Sequence, residues 1–249
     1  MHFAMYYRWL VYYHLFGPVE PDATILDIGC YDGGLARCTG VMPTVALDPQ
    51  FDALRRADAH IRICADGTRM PLRMHQFDYV LLSDVIEHVP ADRTLITEAA
   101  ARVAPGGTLL LSTTAQNFRL FPSFATPVFE RRWGHVRKGY TPDSLRTLIG
   151  EGFEFIIMVW PENAFRNLYM LMWLFSRPLP AVACALAYLC FLIDRRLLGH
   201  ARTEGHLFVC ATRHEDAPPA AAIAIAAGRE RSMQPGLTPA PALEEQVEG

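Results

Sequence analysis

Apolar residues in this chain gather into short runs that stop at a carboxylate or a hydroxyl. Ile25-Leu26 runs into Asp27, and Val45-Ala46-Leu47 into Asp48. Ile61-Arg62-Ile63-Cys64 ends shortly before Asp66, and Tyr79-Val80-Leu81-Leu82 ends in Ser83-Asp84. Continuous apolar runs of this length, bounded by Gly, Pro and Asp, suit strands buried on both faces of a parallel sheet with helices between them. The expected order is a strand at 23–26, a short helix at 35–39, a strand ending at Asp48, a brief helix at 49–57, and the third and fourth strands. A helix at 92–103 follows, stopped by Pro105-Gly106-Gly107, and then a fifth strand at 108–113. Thr141-Pro142-Asp143 supplies a cap, a first-position proline and a first-turn acid for a helix that ends at Gly150. Strands at 153–160 and 206–212 complete an α/β pattern.

Four segments lie outside that alternation. Residues 1–20 hold an aromatic helix, MHFAMYYRWLVYYHLFGP, stopped by Gly17-Pro18. It lacks the layout of a secretion signal. It is expected to cover the sheet or the cofactor site, with a surface-lying membrane helix as the alternative, since Tyr and Trp favour the headgroup level. The stretch 161–205 is an insertion with two apolar runs, 168–175 and 181–193, followed by Asp194-Arg195-Arg196. Neither run approaches the roughly 20 residues needed to cross a bilayer. An apolar helical hairpin in peripheral membrane contact through 168–193 is expected, against a hydrophobic subdomain or dimer face. From 215 to 249 the chain is rich in Ala and Pro and is expected to be disordered. The stretch 115–140, rich in Phe, Arg and Pro, is long enough to be a lid or a substrate-binding piece.

Composition narrows the function. With 249 residues, 51% of them hydrophobic, the chain can bury one sizeable core. A net charge of −3 argues against nucleic acid as partner. Six cysteines without a Cys-x-x-Cys pair fit a reducing cytoplasm, with peripheral attachment to the cytoplasmic membrane as its variant.

In an open parallel sheet the strand carboxyl ends share one edge, and ligands bind there. Asp27, Asp48 and Asp66 should therefore meet at one pocket. The turn Gly29-Cys30-Tyr31-Asp32-Gly33-Gly34 lets a ligand approach the main chain. Asp48, with Pro49 after it, stands about where a mononucleotide fold sets an acid against ribose hydroxyls. The glycine spacing is not that of a pyrophosphate site. A carboxylate at Asp27 would repel a pyrophosphate and attract the ammonium of a methionine moiety, which favours S-adenosylmethionine.

Ile-Leu-Asp-Ile-Gly-Cys-x-Asp-Gly, the acid at Asp48, Asp66-Gly67, the Phe-Asp-Tyr-Val strand with Glu87-His88-Val89, and the Pro-Gly-Gly turn together resemble class I S-adenosylmethionine-dependent methyltransferases. The branch they are most similar to includes the ubiquinone-pathway enzymes, and the likeness continues through Gly134-His135-Val136-Arg137. This implies a Rossmann-like domain at 21–214 with a seven-stranded sheet in the order 3-2-1-4-5-7-6, the last strand antiparallel. It also implies that Asp27 and Gly29, with Cys30, Tyr31 and Gly33 of the turn, neighbour the methionine portion. Asp48, followed by Pro49, would hold the ribose, Asp66 with Gly67 the adenine, and Ser83 would offer backbone to the methionine end. Tyr31 departs from the pattern, standing where the family has glycine; its ring flanks the cofactor or distorts the turn.

Methyl transfer to a hydroxyl needs alignment and a base. His88, just past the fourth strand, and His135 in the lid stretch are the candidates, against ordinary packed or solvated histidines. Asp84, Glu87 and His88 form a candidate cluster for a magnesium-like ion, although no metal is assigned. Arg119, Arg131, Arg132, Arg137 and Lys138 make the lid stretch basic and either receive a phosphate or carboxylate of the acceptor or form a solvated charge cluster. The expected activity is methylation of a small-molecule acceptor, on oxygen, with a lipid-like or lipid-linked body. A noncatalytic membrane-associated scaffold is the alternative, and a nicotinamide-dependent reductase is disfavoured by the glycine spacing.

Overall fold

The structure is a computed structural model that describes residues 3–72, 75–118, 131, 133–161, 180–197 and 205–216. The apolar run 168–175, Arg119, Arg132 and the tail from 217 lie outside the described residues. Helix α1 (Phe3–Phe16) precedes β1 (Ile25–Ile28), α2 (Ala36–Thr39), β2 (Val45–Asp48), α3 (Phe51–Leu54) and β3 (Ile61–Cys64). Then come β4 (Phe77–Ser83), α4 (Asp92–Ala101), β5 (Val103–Thr114), α5 (Pro142–Ile149), β6 (Phe153–Pro161), α6 (Pro180–Leu197) and β7 (Gly205–Arg213).

The strands form one seven-stranded sheet in the order β3-β2-β1-β4-β5-β7-β6. The strands from β1 to β5 pair in parallel, whereas β7 runs antiparallel to both β5 and β6. Every residue of β1 and β2 is buried, as expected of strands covered on both faces. One face packs Leu26, Val80, Leu82, Leu109 and Val209 against Leu95, Ile96 and Ala99 of α4 and Leu145 and Ile149 of α5. The other packs Ile25, Leu81, Leu110, Trp160 and Phe208 against Leu10, Val11 and Tyr12 of α1 and Phe191 of α6. The aromatic amino-terminal helix thus lies on the sheet. Among the described residues, no helix is long and apolar enough to cross a membrane.

Two elements differ from the sequence expectation in ways that shape the site. Strand β1 is 25–28 rather than 23–26, because its register follows β2, with Leu26 opposite Val45 and Ile28 opposite Leu47. Thr24 instead gives its N–H and hydroxyl to the Asp78 carboxylate, at 2.8 and 2.7 Å. Asp27 therefore sits inside the strand and is buried, not at its solvated end. The Pro105-Gly106-Gly107 turn is a bulge within β5: Phe77 faces Val103 but Tyr79 already faces Thr108. Gly106 has φ +73°, and a Cβ at Gly107 would come within 2.9 Å of the Ala104 and Asp78 carbonyl oxygens. Helix α5 starts as its sequence dictates. The Thr141 hydroxyl accepts from the Ser144 N–H at 3.1 Å while Ser144 accepts from the Thr141 N–H at 2.9 Å, a closed capping box.

Candidate active site

The parallel register brings the carboxyl ends of β1 to β5 to one rim. Because β7 runs the other way, its amino-terminal end arrives at the same place, with His206 opposite Thr114.

At the β1–β2 end of this rim, the N–H groups of Gly29 and Cys30 donate to the Leu47 carbonyl at 2.7 and 3.3 Å. This ties the glycine turn to β2. Gly29 has φ +68°, and a Cβ there would lie 2.5 Å from Cγ2 of Val85. The turn and the β4 end are thus in contact. Gly33, at φ +71°, would place a Cβ 3.1 Å from Ala57, and Cys30 is buried beneath the turn.

Tyr31 takes the glycine-like φ of +51° while its ring stays 51% exposed. The turn is therefore kept at a conformational cost of about 1–2 kcal/mol, and the ring does not fill the hollow. The Tyr31 N–H donates to one oxygen of the Asp48 carboxylate at 2.8 Å, and the Gln50 N–H to the other at 2.7 Å. Asp48 is buried and its carboxylate is oriented before any ligand arrives. Each of its oxygens keeps a lone pair for a hydroxyl donor. Pro49 follows directly and accepts from the Cys64 thiol at 3.5 Å.

Asp27 is the opposite case. Its Oδ2 is buried with no hydrogen-bond partner. Burial, and then repulsion from Asp48, push its carboxyl up to about 7. A buried acid left this way calls for a cation or a proton donor beside it. Asp66 is exposed at the β3 end and accepts from the N–H and hydroxyl of Thr68 at 2.8 and 2.9 Å, which holds its carboxyl below the usual range. Its neighbour Gly67 lies where a Cβ would approach Ile28 to 3.1 Å, so 66–67 sits against the end of β1. The three acids share one edge.

At the β4 end, Ser83 and Asp84 were named from the sequence, but their partners Arg8, Ser112 and His206 were missed. Ser83 closes the strand, its hydroxyl 2.8 Å from that of Ser112. Asp84 follows with φ +52°. Its carboxylate pairs with Arg8 of α1, lies 3.3 Å from His206 Nε2 and accepts from the Ser112 hydroxyl at 2.8 Å. Burial alone would raise the Asp84 carboxyl; Arg8, then His206 and Ser112, outweigh it and hold it well below the usual range. Four elements, α1, β4, β5 and β7, are knotted at this one side chain.

Asp84 therefore does not join Glu87 and His88, as the proposed metal cluster would need. Its positive φ sends it toward Arg8, while a single 3-10 turn at Ile86–His88 points the other two elsewhere. Glu87 and His88 instead converge with His135, their ligand atoms all within 4.8 Å of one another, a spacing open to a divalent ion. Glu87 is buried and accepts from the Thr113 hydroxyl at 3.0 Å. Burial and the nearby Asp84 charge push its carboxyl up to about 7. The His88 and His135 rings meet edge-on at 4.9 Å, with Trp133 5.6 Å from His135.

The segment 133–140 is strapped over this turn. The Val136 N–H donates to the Glu87 carbonyl at 2.9 Å, and His88 Nδ1 lies 3.3 Å from the Gly134 carbonyl oxygen. Arg137 pairs with Asp92 and donates to the Pro90 carbonyl at 3.0 Å. Tyr140 reaches the same Asp92 carboxylate at 2.8 Å. Arg137 is thus a structural strut, neither the anion receptor nor the solvated charge that the basic segment suggested, because Asp92 neutralises it.

A methyltransferase-domain family model matches residues 3–155, which run from α1 into β6 and make up more than half of the chain. The ubiquinone biosynthesis O-methyltransferase of Coxiella burnetii is 29% identical over 107 residues, 39% of this chain and 46% of that protein. The enzyme of the same description from Hydrogenovibrio crunogenus is 28% identical over 113 residues, 40% of this chain and 46% of that protein. The chain spans about half the length of the curated relatives it matches. An S-adenosylmethionine-dependent methyltransferase from Thermotoga maritima shares the fold at TM-score 0.55 and 14% identity, over 84% of this chain and 91% of that one. Phosphoethanolamine N-methyltransferase 2 of Haemonchus contortus, solved with S-adenosyl-L-methionine, does so at TM-score 0.56 and 20% identity, over 83% of this chain and 52% of that one.

Proposed function

The chain belongs to the class I S-adenosylmethionine-dependent methyltransferases, and from that premise we propose that it methylates a hydroxyl oxygen of a small, amphiphilic acceptor. The observation that carries the cofactor half is the contrast between Asp27 and Asp48. The first is a buried acid with an unpartnered oxygen, suited to an ammonium; the second is pre-oriented by two N–H groups, suited to a pair of hydroxyls. Asp66 and Gly67 complete the rim for an adenine. Ser83 stands at the methionine end, beside the Arg8–Asp84 pair. The cofactor supplies an activated methyl on a sulfonium.

What the protein adds is alignment and removal of a proton. With Nδ1–H of His88 donating to the Gly134 carbonyl, Nε2 carries the lone pair and can take a hydroxyl proton. His135, packed against it and braced by Trp133, is the second acceptor-side group. Glu87 brings a carboxylate oxygen within 4.8 Å of a ring nitrogen of each. Two features support an amphiphilic acceptor and peripheral membrane contact at the cytoplasmic face. The relatives are named for ubiquinone biosynthesis, and α6 leaves Val182, Tyr188 and Leu189 exposed, about two to four turns before Arg195 and Arg196. Such a helix can lie in a headgroup layer with its basic end on anionic lipid.

Calorimetric titration with S-adenosylhomocysteine tests the cofactor half, with Asp27→Asn and Asp48→Asn as weakened variants. Absence of heat and of any thermal shift for the wild type would favour the noncatalytic scaffold. Methyl transfer to catechol-type hydroxyl probes and not to amine probes tests the acceptor atom. Sedimentation with anionic vesicles tests the surface helix; wild-type protein left in the supernatant would end the membrane part.

A further inference from the structure

Adjacent residues of α1 hold two different parts of the molecule. Arg8 pairs with Asp84 at the β4 end. Tyr7 points the other way and donates its hydroxyl hydrogen to Asp194 of α6, while Trp160 Nε1–H donates to the Tyr7 oxygen at 2.8 Å. Asp194 is only 5% exposed, a buried acid in an otherwise apolar stretch of helix. Around it, Tyr6 and Tyr7 pack on Ala187 and Cys190, and the Trp160 and Phe191 rings stack at 5.8 Å, 2° from parallel. Met5, one turn earlier on α1, covers the glycine turn so closely that a Cβ at Gly34 would lie 3.0 Å from its Cγ. The helix therefore touches the glycine turn and the β4 end with one side and the insertion helix with the other.

We propose that Asp194 is a positioning residue for the cofactor site, acting through Tyr7 and α1 on the Arg8–Asp84 pair. Asp84 holds a positive φ, which aspartate tolerates better than most residues but still at a cost that its buried partners offset. Among the described residues, Arg8, His206 and Ser112 are the side chains that hold it. Loosening α1 removes Arg8, lets Asp84 relax, and shifts the backbone of Ser83 next to it. Cofactor affinity then depends on how firmly α6 grips α1, and by linkage a bound cofactor tightens that grip. The inference rests on the cofactor reading given above, but the coupling itself has a readout that needs no ligand.

The test compares full-length wild type, Asp194→Leu, Asp194→Asn and Tyr7→Phe. Asp194→Leu keeps the apolar volume but removes the acceptor, whereas Asp194→Asn keeps a carbonyl oxygen for Tyr7. In ligand-free protein, Asp194→Leu and Tyr7→Phe should speed amide hydrogen exchange in 3–16 and in 83–88. Exchange in α4 and α5, on the far face of the sheet, should stay at the wild-type rate. S-adenosylhomocysteine affinity should fall about tenfold, within the usual range of coupling between sites, and Asp194→Asn should recover most of it. Bound S-adenosylhomocysteine should in turn slow exchange in 180–197 of the wild type. Unchanged exchange at 83–88 in both Asp194→Leu and Tyr7→Phe overturns the coupling, as does loosening spread evenly over the fold. Should the wild type take up no S-adenosylhomocysteine, the cofactor reading fails separately, and exchange at 83–88 still decides the coupling. Tyr7→Phe, which loses only a hydroxyl, carries the test if Asp194→Leu does not fold.

Discussion

Gly29→Ala is the substitution whose effect the geometry fixes best. Two costs arise at once. An alanine at φ +68° is in the left-handed region, which costs about 1–2 kcal/mol. Its Cβ would also lie 2.5 and 2.9 Å from Cγ2 and Cγ1 of Val85, and such overpacking costs about 1–3 kcal/mol more. The sum, about 2–5 kcal/mol, should lower the melting midpoint on the order of 10 °C for a domain of this size. Val85 follows Asp84 directly, so the same push displaces the β4 end, and S-adenosylhomocysteine affinity should fall well beyond what instability alone explains. The double variant Gly29→Ala/Val85→Ala separates the two costs. Truncating Val85 removes both clashing methyls and leaves only its Cβ, at 3.3 Å, so the clash disappears while the strain stays. A double-mutant cycle read by thermal melting and calorimetry should show about 1–3 kcal/mol of favourable coupling. Additive losses would refute the contact between the glycine turn and the β4 end, and with it this picture of the rim.

Asp27 gives a pH signature with opposite signs for stability and binding. Its folded carboxyl lies near 7, above the unfolded value of about 3.9, so its contribution to stability is fully present below the unfolded value and is lost as pH rises through 7. S-adenosylhomocysteine binding should strengthen toward pH 7 by up to tenfold per unit and then level off, a trend that calorimetry on Asp27→Asn should find largely abolished. Asp66→Ala should weaken S-adenosylhomocysteine about tenfold, the scale of one charge-assisted hydrogen bond, with only a small change in melting; unchanged affinity would remove it from the adenine position. Thr141→Ala opens the capping box of α5 and should cost about 1 kcal/mol of stability in a melting assay, with cofactor affinity untouched because Thr141 and Ser144 bond each other and none of the three acids.

The sheet was legible because its strands are buried on both faces, so runs such as 45–48 need no alternation to be recognised. Strand order was another matter: local pattern says nothing about which run neighbours which, and the observed order had been implied only by family resemblance. What stayed hidden were side chains whose meaning depends on distant partners. Arg8 reads as the solvated cation of an aromatic helix until α1 is laid over β4. His206 reads as an edge residue until the reversed direction of β7 brings its first residues to the rim. Arg137 looked like a receptor or a solvated charge because its neutralising acid, Asp92, lies 45 residues away. The expected grouping of Asp84 with Glu87 and His88 failed on one dihedral, since φ at Asp84 is +52° and the carboxylate turns toward α1. Spacing along the chain could not show that.

The rim also explains why its acids are not interchangeable. Asp48 has been given two backbone donors by the turn and by the start of α3, so its desolvation is largely offset before a ligand arrives. Asp27 has no such donor on Oδ2 and faces Asp48's charge, so the free protein carries an unfavourable interaction that a cation would relieve. A ligand bearing an ammonium beside a vicinal diol relieves one and uses the other. A ligand bearing a pyrophosphate would add two like charges where two carboxylates already repel. On the proposed reading, selectivity between cofactor classes would lie in the imbalance between these two side chains more than in the glycine spacing. An Asp27→Asn substitution, by removing the unbalanced charge, should make the fold more stable above pH 7 and the site less discriminating.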